Sequence, residues 1–201
     1  MDQKLEHLLD QIYEFGIEYD SGNHEHNEKM LNITPDTGRF LYILIQSTDA
    51  KRVLEIGTSN GYSTLWLAYA VSRIDGHVVT VEIARRKHEM AADNFKKSGL
   101  ERHIISLLQD IRTFLDTCKD SSYDFIFLDA ERTQYSHYWK KIDRVLRRNG
   151  LLVVDNAISP KPEELKEFVE LINNTCRYES QVINIGKGEL LFLKTMDSKP
   201  H

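Results

Sequence analysis

Cysteine is scarce. The chain of 201 residues has two, Cys118 and Cys176, far apart and in no spacing that a zinc site or a redox motif uses. That excludes a disulfide-stapled scaffold and leaves two reduced thiols that serve as small hydrophobes. Long apolar runs are missing as well. No stretch approaches the roughly 20 residues that span a bilayer, and Met1-Asp-Gln-Lys-Leu-Glu-His has no signal-peptide core. The expectation is a cytoplasmic protein with no membrane contact. A basic excess is also lacking: 26 Lys and Arg stand against 31 Asp and Glu, a net charge of −5. This argues against a sequence-independent grip on long nucleic acid, though it leaves a local basic patch open. There is no internal repeat, low-complexity tract or linker. Residues 1–201 therefore read as one domain with a full core.

What is present is organised around Lys51-Arg-Val-Leu-Glu-Ile-Gly-Thr-Ser-Asn-Gly-Tyr-Ser63. Val53, Leu54 and Ile56 form a short apolar run suited to a buried strand. Gly57 and Gly61 punctuate a loop, and Leu65, Leu67, Ala68 and Val71 then recur as the buried face of a helix. Glycines let backbone N–H groups come close to a ligand, and a helix start adds unpaired donors and partial positive charge. The spacing does not fit the dinucleotide fingerprint, whose glycines fall at positions one, three and six. An acid at the strand end, Glu55, would repel phosphate and suit a ligand with an ammonium group. Glu55-Ile-Gly-Thr-Ser-Asn-Gly-Tyr-Ser63 resembles motif I of the class I S-adenosylmethionine-dependent methyltransferases, in its E-x-G-x-x-x-G-x-S form.

In chain order, Leu5, Leu8, Leu9, Ile12 and Phe15 predict an amphipathic helix over 2–17, with Gly16 near its end. A polar segment from Asp20 to Lys29 reads as a solvated loop, so His24 and His26 are not taken as metal ligands. Thr34 and Pro35 read as N-cap and first residue of a second helix. The segment before motif I resembles that of the methyltransferases, which implies that residues 1–35 form a helix and a segment covering cofactor and substrate. His77-Val-Val-Thr-Val-Glu82 is a second strand whose terminal acid, 25 residues after Gly57, is placed to accept from ribose hydroxyls. A helix over 84–98 closes at Gly99. A third strand, Ile104–Leu108, ends at Gln109-Asp110, where Asp110 is either an adenine-side acceptor or the N-cap of a helix over 111–118. Tyr123–Asp129 is a fourth, continuously apolar strand, as a central parallel strand should be. A helix through Tyr138, Trp139, Ile142, Val145 and Leu146 closes at Asn149-Gly150. Leu151–Asn156 is a fifth strand, 162–172 a helix opened by Pro162, and Tyr178–Ile185 with Glu189–Thr195 a hairpin turning through Gly186-Lys-Gly188.

Asp129, Asp155 and Asn156 lie at the carboxyl ends of neighbouring strands, the edge where open α/β sheets bind ligands. Two carboxylates and an amide oxygen are hard ligands that suit Mg²⁺, with Mn²⁺ or Ca²⁺ as alternatives. D-A-x-x-x-x-Y from Asp129 and D-N at Asp155-Asn156 resemble the metal motif of the catechol and caffeoyl-coenzyme A O-methyltransferases. That resemblance implies a Rossmann-like α/β sandwich with a seven-stranded, mostly parallel sheet in the order 3-2-1-4-5-7-6. It implies methyl transfer from S-adenosylmethionine to a hydroxyl of a small, catechol-like or vicinal-diol acceptor. It implies cofactor contacts at Ile33, at Glu55, Gly57, Thr58 and Ser63 in motif I, at Glu82 and Ile83, at Gln109 and Asp110, and at Asp129. The metal role falls on Asp129, Asp155 and Asn156, and catalytic roles on Asp129, Asp155 and Arg132.

Two departures stand out. Where the resembled enzymes carry a lysine proposed as general base, this chain has Arg132, which stays protonated at neutral pH and cannot be a base. It can still orient an anionic oxygen or a phosphate. After Asn156 the chain continues Ala-Ile-Ser-Pro-Lys-Pro, without the tryptophan- and glycine-containing insert of the plant enzymes, so caffeoyl-coenzyme A is not assumed as acceptor. A hydroxylated nucleoside of transfer RNA is the nearest rival acceptor, with Arg85-Arg-Lys87, Lys140-Lys141, Arg144 and Arg147-Arg148 as basic clusters. A nonenzymatic S-adenosylmethionine-binding protein and an NAD-dependent oxidoreductase are more distant rivals. The helix over 2–17 would serve either a homodimer interface or its own sheet.

Overall fold

The computed structural model describes residues 1–195. Seven strands form one sheet in the order β3-β2-β1-β4-β5-β7-β6. They are β1 (Arg52–Ile56), β2 (His77–Glu82), β3 (Ile104–Leu108), β4 (Tyr123–Leu128), β5 (Leu146–Val154), β6 (Tyr178–Ile183) and β7 (Glu189–Lys194). The pairs from β3 to β5 are parallel, and β7 runs antiparallel to both β5 and β6. The expected order and the C-terminal hairpin are both present.

Side chains alternate across each strand, and this divides the core in two. Val53, Val78, Phe125, Phe127, Leu151 and Val153 face one side with helices α1 (Gln3–Ser21), α2 (Pro35–Thr48), α3 (Tyr62–Ser72) and α4 (Arg85–Ser98). Leu54, Ile56, Val79, Ile126, Leu152 and Val154 face the other with α5 (Ile111–Thr117), α6 (Tyr135–Val145) and α7 (Lys166–Asn173).

Local chemistry sets most helix ends. Asp2 caps α1 by accepting from Leu5 N at 2.8 Å, and Thr34 caps α2 by accepting from Thr37 N at 3.2 Å. Gly99, at φ 72°, ends α4. Three boundaries and one buried face differ from expectation. Helix α1 runs past Gly16 to Ser21; the glycine is an interior residue against which the Asn32 side chain sits, not a terminator. Helix α3 is buried nearly all round, including Tyr62, Thr64 and Trp66, because α1 and α2 lie over the side that periodicity would leave wet. Strand β5 starts at Leu146, ahead of Asn149-Gly150, with an irregular register before Phe125 pairs Leu151. The stretch from Pro162 opens as a 3-10 turn over Pro162–Leu165 before α7 begins, with Glu164 drawn into ion pairs.

At the amino ends of the strands, Asp124 accepts from Arg52 N at 2.8 Å and from the guanidiniums of Arg52 and Arg147, each at 2.7 Å. Burial opposes ionisation there, but these donors prevail and hold the carboxyl at about 2. The opposite edge is left to the site. Among the described residues no helix is long and apolar enough to cross a membrane.

Candidate active site

The carboxyl ends of β1, β2, β4 and β5, with the turn between β6 and β7, form one rim. Gly57 sits at φ 103°, donates to Val81 O at 3.1 Å, and is placed so that a Cβ would meet the backbone carbonyl of Asp129. Gly61, at φ 87°, starts α3 against Phe95 and Ala91. Both glycines are required by close contacts within the chain as well as by the loop's course.

Glu55 does not reach the rim, contrary to the expectation of a carboxylate facing an ammonium group. It is 0% exposed and accepts from Ser63 Oγ at 2.6 Å, Thr80 Oγ1 at 2.6 Å and Thr64 Oγ1. Burial pushes its carboxyl up to about 7, against the pull of the three hydroxyls. Its position in β1 turns it toward the start of α3 and toward β2, so it ties the motif I loop to two strands. The hydroxyls of Ser63 and Thr58 are thereby engaged within the protein, the second with Thr80 Oγ1 at 2.5 Å.

Glu82 lies at the rim as expected. Its carboxylate accepts from Ser59 N at 2.9 Å, Ile83 N at 3.0 Å and Ala84 N at 2.8 Å, and Gln109 N bonds its backbone carbonyl at 2.9 Å. Ile83 beside it is 72% exposed. Asp110 takes the capping role, accepting from Arg112 N at 2.7 Å and pairing with the Arg112 guanidinium at 2.6 Å, which holds its carboxyl at about 2.

A strap over 29–33 crosses the motif I loop. Asp20 accepts from Met30 N at 2.7 Å and Leu31 N at 2.8 Å; Ser59 Oγ donates to Met30 O at 2.7 Å, and Lys87 Nζ to Lys29 O at 2.7 Å. Met30 and Ile33 of the strap are buried. Burial lowers the Lys87 ammonium's pKa, against the opposing pull of Glu82, Asp20 and Asp129. His24 stacks on Tyr19 with ring centroids 3.9 Å apart.

Asp129 and Asp155 meet where β4 and β5 end, positioned by Asp129 N to Ile56 O at 3.0 Å and Asp155 N to Leu128 O at 3.1 Å. Burial raises both carboxyls, and the charge of Asp155 raises Asp129 further. Asn156, at φ 60°, donates Nδ2 to Asp155 Oδ2 at 2.5 Å, which leaves its Oδ1 buried without a partner. Two buried carboxylates beside an orphaned amide oxygen fit a hard divalent cation. Among the described residues no three His, Cys, Asp or Glu side chains are set to cage an ion. Waters or acceptor oxygens would complete its coordination.

One residue here was not anticipated. Glu189 is 0% exposed, accepts from Thr37 Oγ1 at 3.0 Å and leaves Oε2 without a partner. Burial, then the charge of Asp155, push its carboxyl up to about 10. The available signal was a charge at the head of the apolar strand Glu189-Leu-Leu-Phe-Leu, directly after a glycine turn.

Arg132 is the other correction. It does not face the acids. Its Nη1 donates to Asn156 O at 3.0 Å and Pro160 O at 2.7 Å, and its Nη2 pairs with Glu164 at 2.9 Å, leaving 12% of the side chain exposed. It ties down the segment after Asn156 and has no free face for an acceptor. A separate hollow of about 500 Å³ lies between α7 and β6 against Val169, Val182 and Leu190, and none of the rim acids line it.

Comparison with known proteins decides the family. Residues 18–195 match the O-methyltransferase family model. The chain belongs to the S-adenosylmethionine-dependent O-methyltransferase family. It is 30% identical over 182 residues to a caffeoyl-CoA O-methyltransferase of Populus kitakamiensis, covering 80% of this chain and 77% of that one. It is 33% identical over 131 residues to a catechol O-methyltransferase of Niastella koreensis, spanning 64% of this chain and 59% of that enzyme. An O-methyltransferase of Bacillus cereus solved with S-adenosylhomocysteine superposes with a TM-score of 0.75 at 26% identity, covering 96% and 92% of the two chains. The O-methyltransferase TomG of Streptomyces achromogenes, solved with S-adenosylmethionine, gives 0.76 at 26% identity, covering 98% and 91%.

Proposed function

We propose that this O-methyltransferase transfers the methyl group of S-adenosylmethionine to one oxygen of a small catechol-like or vicinal-diol acceptor, in a cytoplasmic, metal-dependent reaction. The observation that carries the reading is the partnerless Oδ1 of Asn156, buried beside the Asp129 and Asp155 carboxylates. A bound divalent ion, Mg²⁺ in the first instance, would acidify and orient an acceptor hydroxyl. Asp129, Asp155 and Asn156 would hold that ion. Glu82 at the end of β2 and the strap over 29–33 would hold the methyl donor, with Gln109 beside them. The acceptor hydroxyl gives its proton to solvent. Its oxygen then attacks the methyl carbon as the carbon–sulfur bond breaks and the electron pair passes to sulfur. Most of the rate comes from orientation of the two reactants.

Three of the basic residues raised as an RNA surface are engaged in ion pairs within the chain. Lys141 is spent on Asp116 at 2.7 Å, Arg144 on Asp120 at 2.8 Å and Arg147 on Asp124 at 2.7 Å.

The test is calorimetric titration of S-adenosylhomocysteine and then a catechol, with Mg²⁺ and with EDTA. The nucleoside should bind in both conditions and the catechol only with metal. Asp155→Ala should abolish methylation while leaving nucleoside affinity within a few-fold. Catechol binding that ignores EDTA, or an active Asp155→Ala enzyme, would overturn the metal assignment.

A further inference from the structure

With Arg132 turned away, the position where the resembled enzymes carry a lysine supplies no side-chain cation to the acid rim. The turn between β6 and β7 carries one. Its backbone is fixed from two directions. Ile158 N and Ser159 N donate to Lys187 O at 3.1 and 3.0 Å, and Ala157 N donates to Gly188 O at 2.8 Å, so the turn is stapled to the three residues that follow Asn156. Gly186 lies against the hydroxyls of Thr34 and Thr37 at the start of α2, and Gly188 against Ile158, too close for a Cβ at either place. Between these glycines Lys187 is half-buried, and its ammonium has no ion pair or hydrogen bond among the described residues. Glu189, two residues on, reaches Thr37 and stands beside Asp155.

We propose that Lys187 is the residue that contacts the acceptor, its ammonium pairing with the oxygen that ionises before methyl transfer. The assignment rests on the functional reading above and adds a side-chain cation to the divalent ion of that reading. The staple of the turn to Ala157, Ile158 and Ser159, directly after Asn156, sets Lys187 at the end of the rim where the acids lie. The other charged groups around the turn are already matched. Arg132 and Lys161 pair with Glu164 at 2.9 and 3.2 Å on the 156–164 segment, and Asp36 pairs with Arg39 at 3.7 Å on the exposed side of α2. The Asp129, Asp155 and Glu189 carboxyls, at the ends of β4 and β5 and the start of β7, are the charged or titratable groups left on this side of the rim. A fixed cation among them favours the oxyanion and selects acceptors that bear an acidic hydroxyl.

The test compares wild type with Lys187→Met and Lys187→Arg, and with Lys187→Gln should methionine disturb the fold. Affinity for S-adenosylhomocysteine serves as the check on folding. With this nucleoside and Mg²⁺ present, catecholate absorbance is titrated against pH. The acid limb of kcat/KM is followed in parallel with S-adenosylmethionine. The expected result is a limb and a catecholate midpoint that move upward by about 1 to 3 units in Lys187→Met, as loss of a nearby opposite charge requires. Lys187→Arg should return most of the shift, and nucleoside affinity should stay within threefold. A purely structural lysine would leave both midpoints in place. An active wild type whose midpoints do not change in Lys187→Met overturns the assignment and leaves the functional reading intact. A wild type that neither binds nor methylates any catechol overturns both.

Discussion

Glu55 couples the site to the stability of the fold. Its carboxyl titrates at about 7 in the native chain against an ordinary 4.5. Between those values the native state holds a proton that the unfolded chain has released. The associated stability is therefore complete below pH 4.5 and is lost as pH rises through 7. The difference corresponds to roughly 3 kcal/mol. Glu55→Gln removes this titration while keeping an acceptor for the surrounding hydroxyls. Urea unfolding at pH 5 and pH 8 should show a smaller decline in the variant than in the wild type, and equal declines would mean that the three hydroxyls fully compensate the burial. The position of Glu55 was legible in the sequence, but its direction was not. Whether an acid at a strand end points to the rim or inward depends on what faces it, and Thr64 and Thr80, which face it here, lie in other elements. Arg132 is the same case, since spacing from Asp129 locates the residue while the carbonyls that capture its guanidinium belong to the segment 24 or more residues later. The strand-end positions of Glu82 and Asp155 were legible, because the apolar run of each parallel strand shows where it stops.

Among the connecting segments, the one between β5 and α7 is shaped by Arg132 and by the β6–β7 turn. Three backbone N–H groups bond to Lys187 O and Gly188 O, and Arg132 holds two carbonyls and Glu164 from the other side. Charge-assisted bonds of this kind are worth about 2 kcal/mol in total effect when a partner is removed. Arg132→Gln should therefore lower the unfolding free energy by about 2 kcal/mol, measured by urea denaturation, and weaken acceptor binding through the displaced segment. If Arg132 instead acted on the acceptor directly, activity would fall with no change in stability. Sequence pattern anticipated the core of each strand and most helix caps, since these depend on neighbours within a few residues. It placed β5 late and read residues 162–172 as one helix. At both places the chain's course is set by partners elsewhere: β4 for the irregular start of β5, and Arg132 for Glu164.

For the molecule as a whole, the functional reading proposed above divides the chemistry between two parts of the sheet. Strands β1 to β3 with α1 to α4 carry Glu82 and the strap over the donor side. Strands β4 to β7 carry Asp129, Asp155, Lys187 and Glu189. The resemblance to known methyltransferases implied the strand order, but the meeting of Thr37 with Glu189, 152 residues apart, follows only once β7 is inserted antiparallel between β5 and β6. That insertion depends on Phe192, which is 0% exposed and meets Phe168 and Tyr178 edge-on, with centroids 6.4 and 6.3 Å apart. Phe192→Ala should cost about 3 to 5 kcal/mol through lost burial and the cavity left behind, lowering the melting midpoint by about 10 °C for a domain of this length. Well below that midpoint, the loosened hairpin should impair catechol methylation before it affects S-adenosylhomocysteine affinity, because Lys187 and Glu189 hang from β7 and the donor side does not. Equal loss of both in a folded variant would show instead that the two sides share one rigid core, and that the hairpin supports the whole rim.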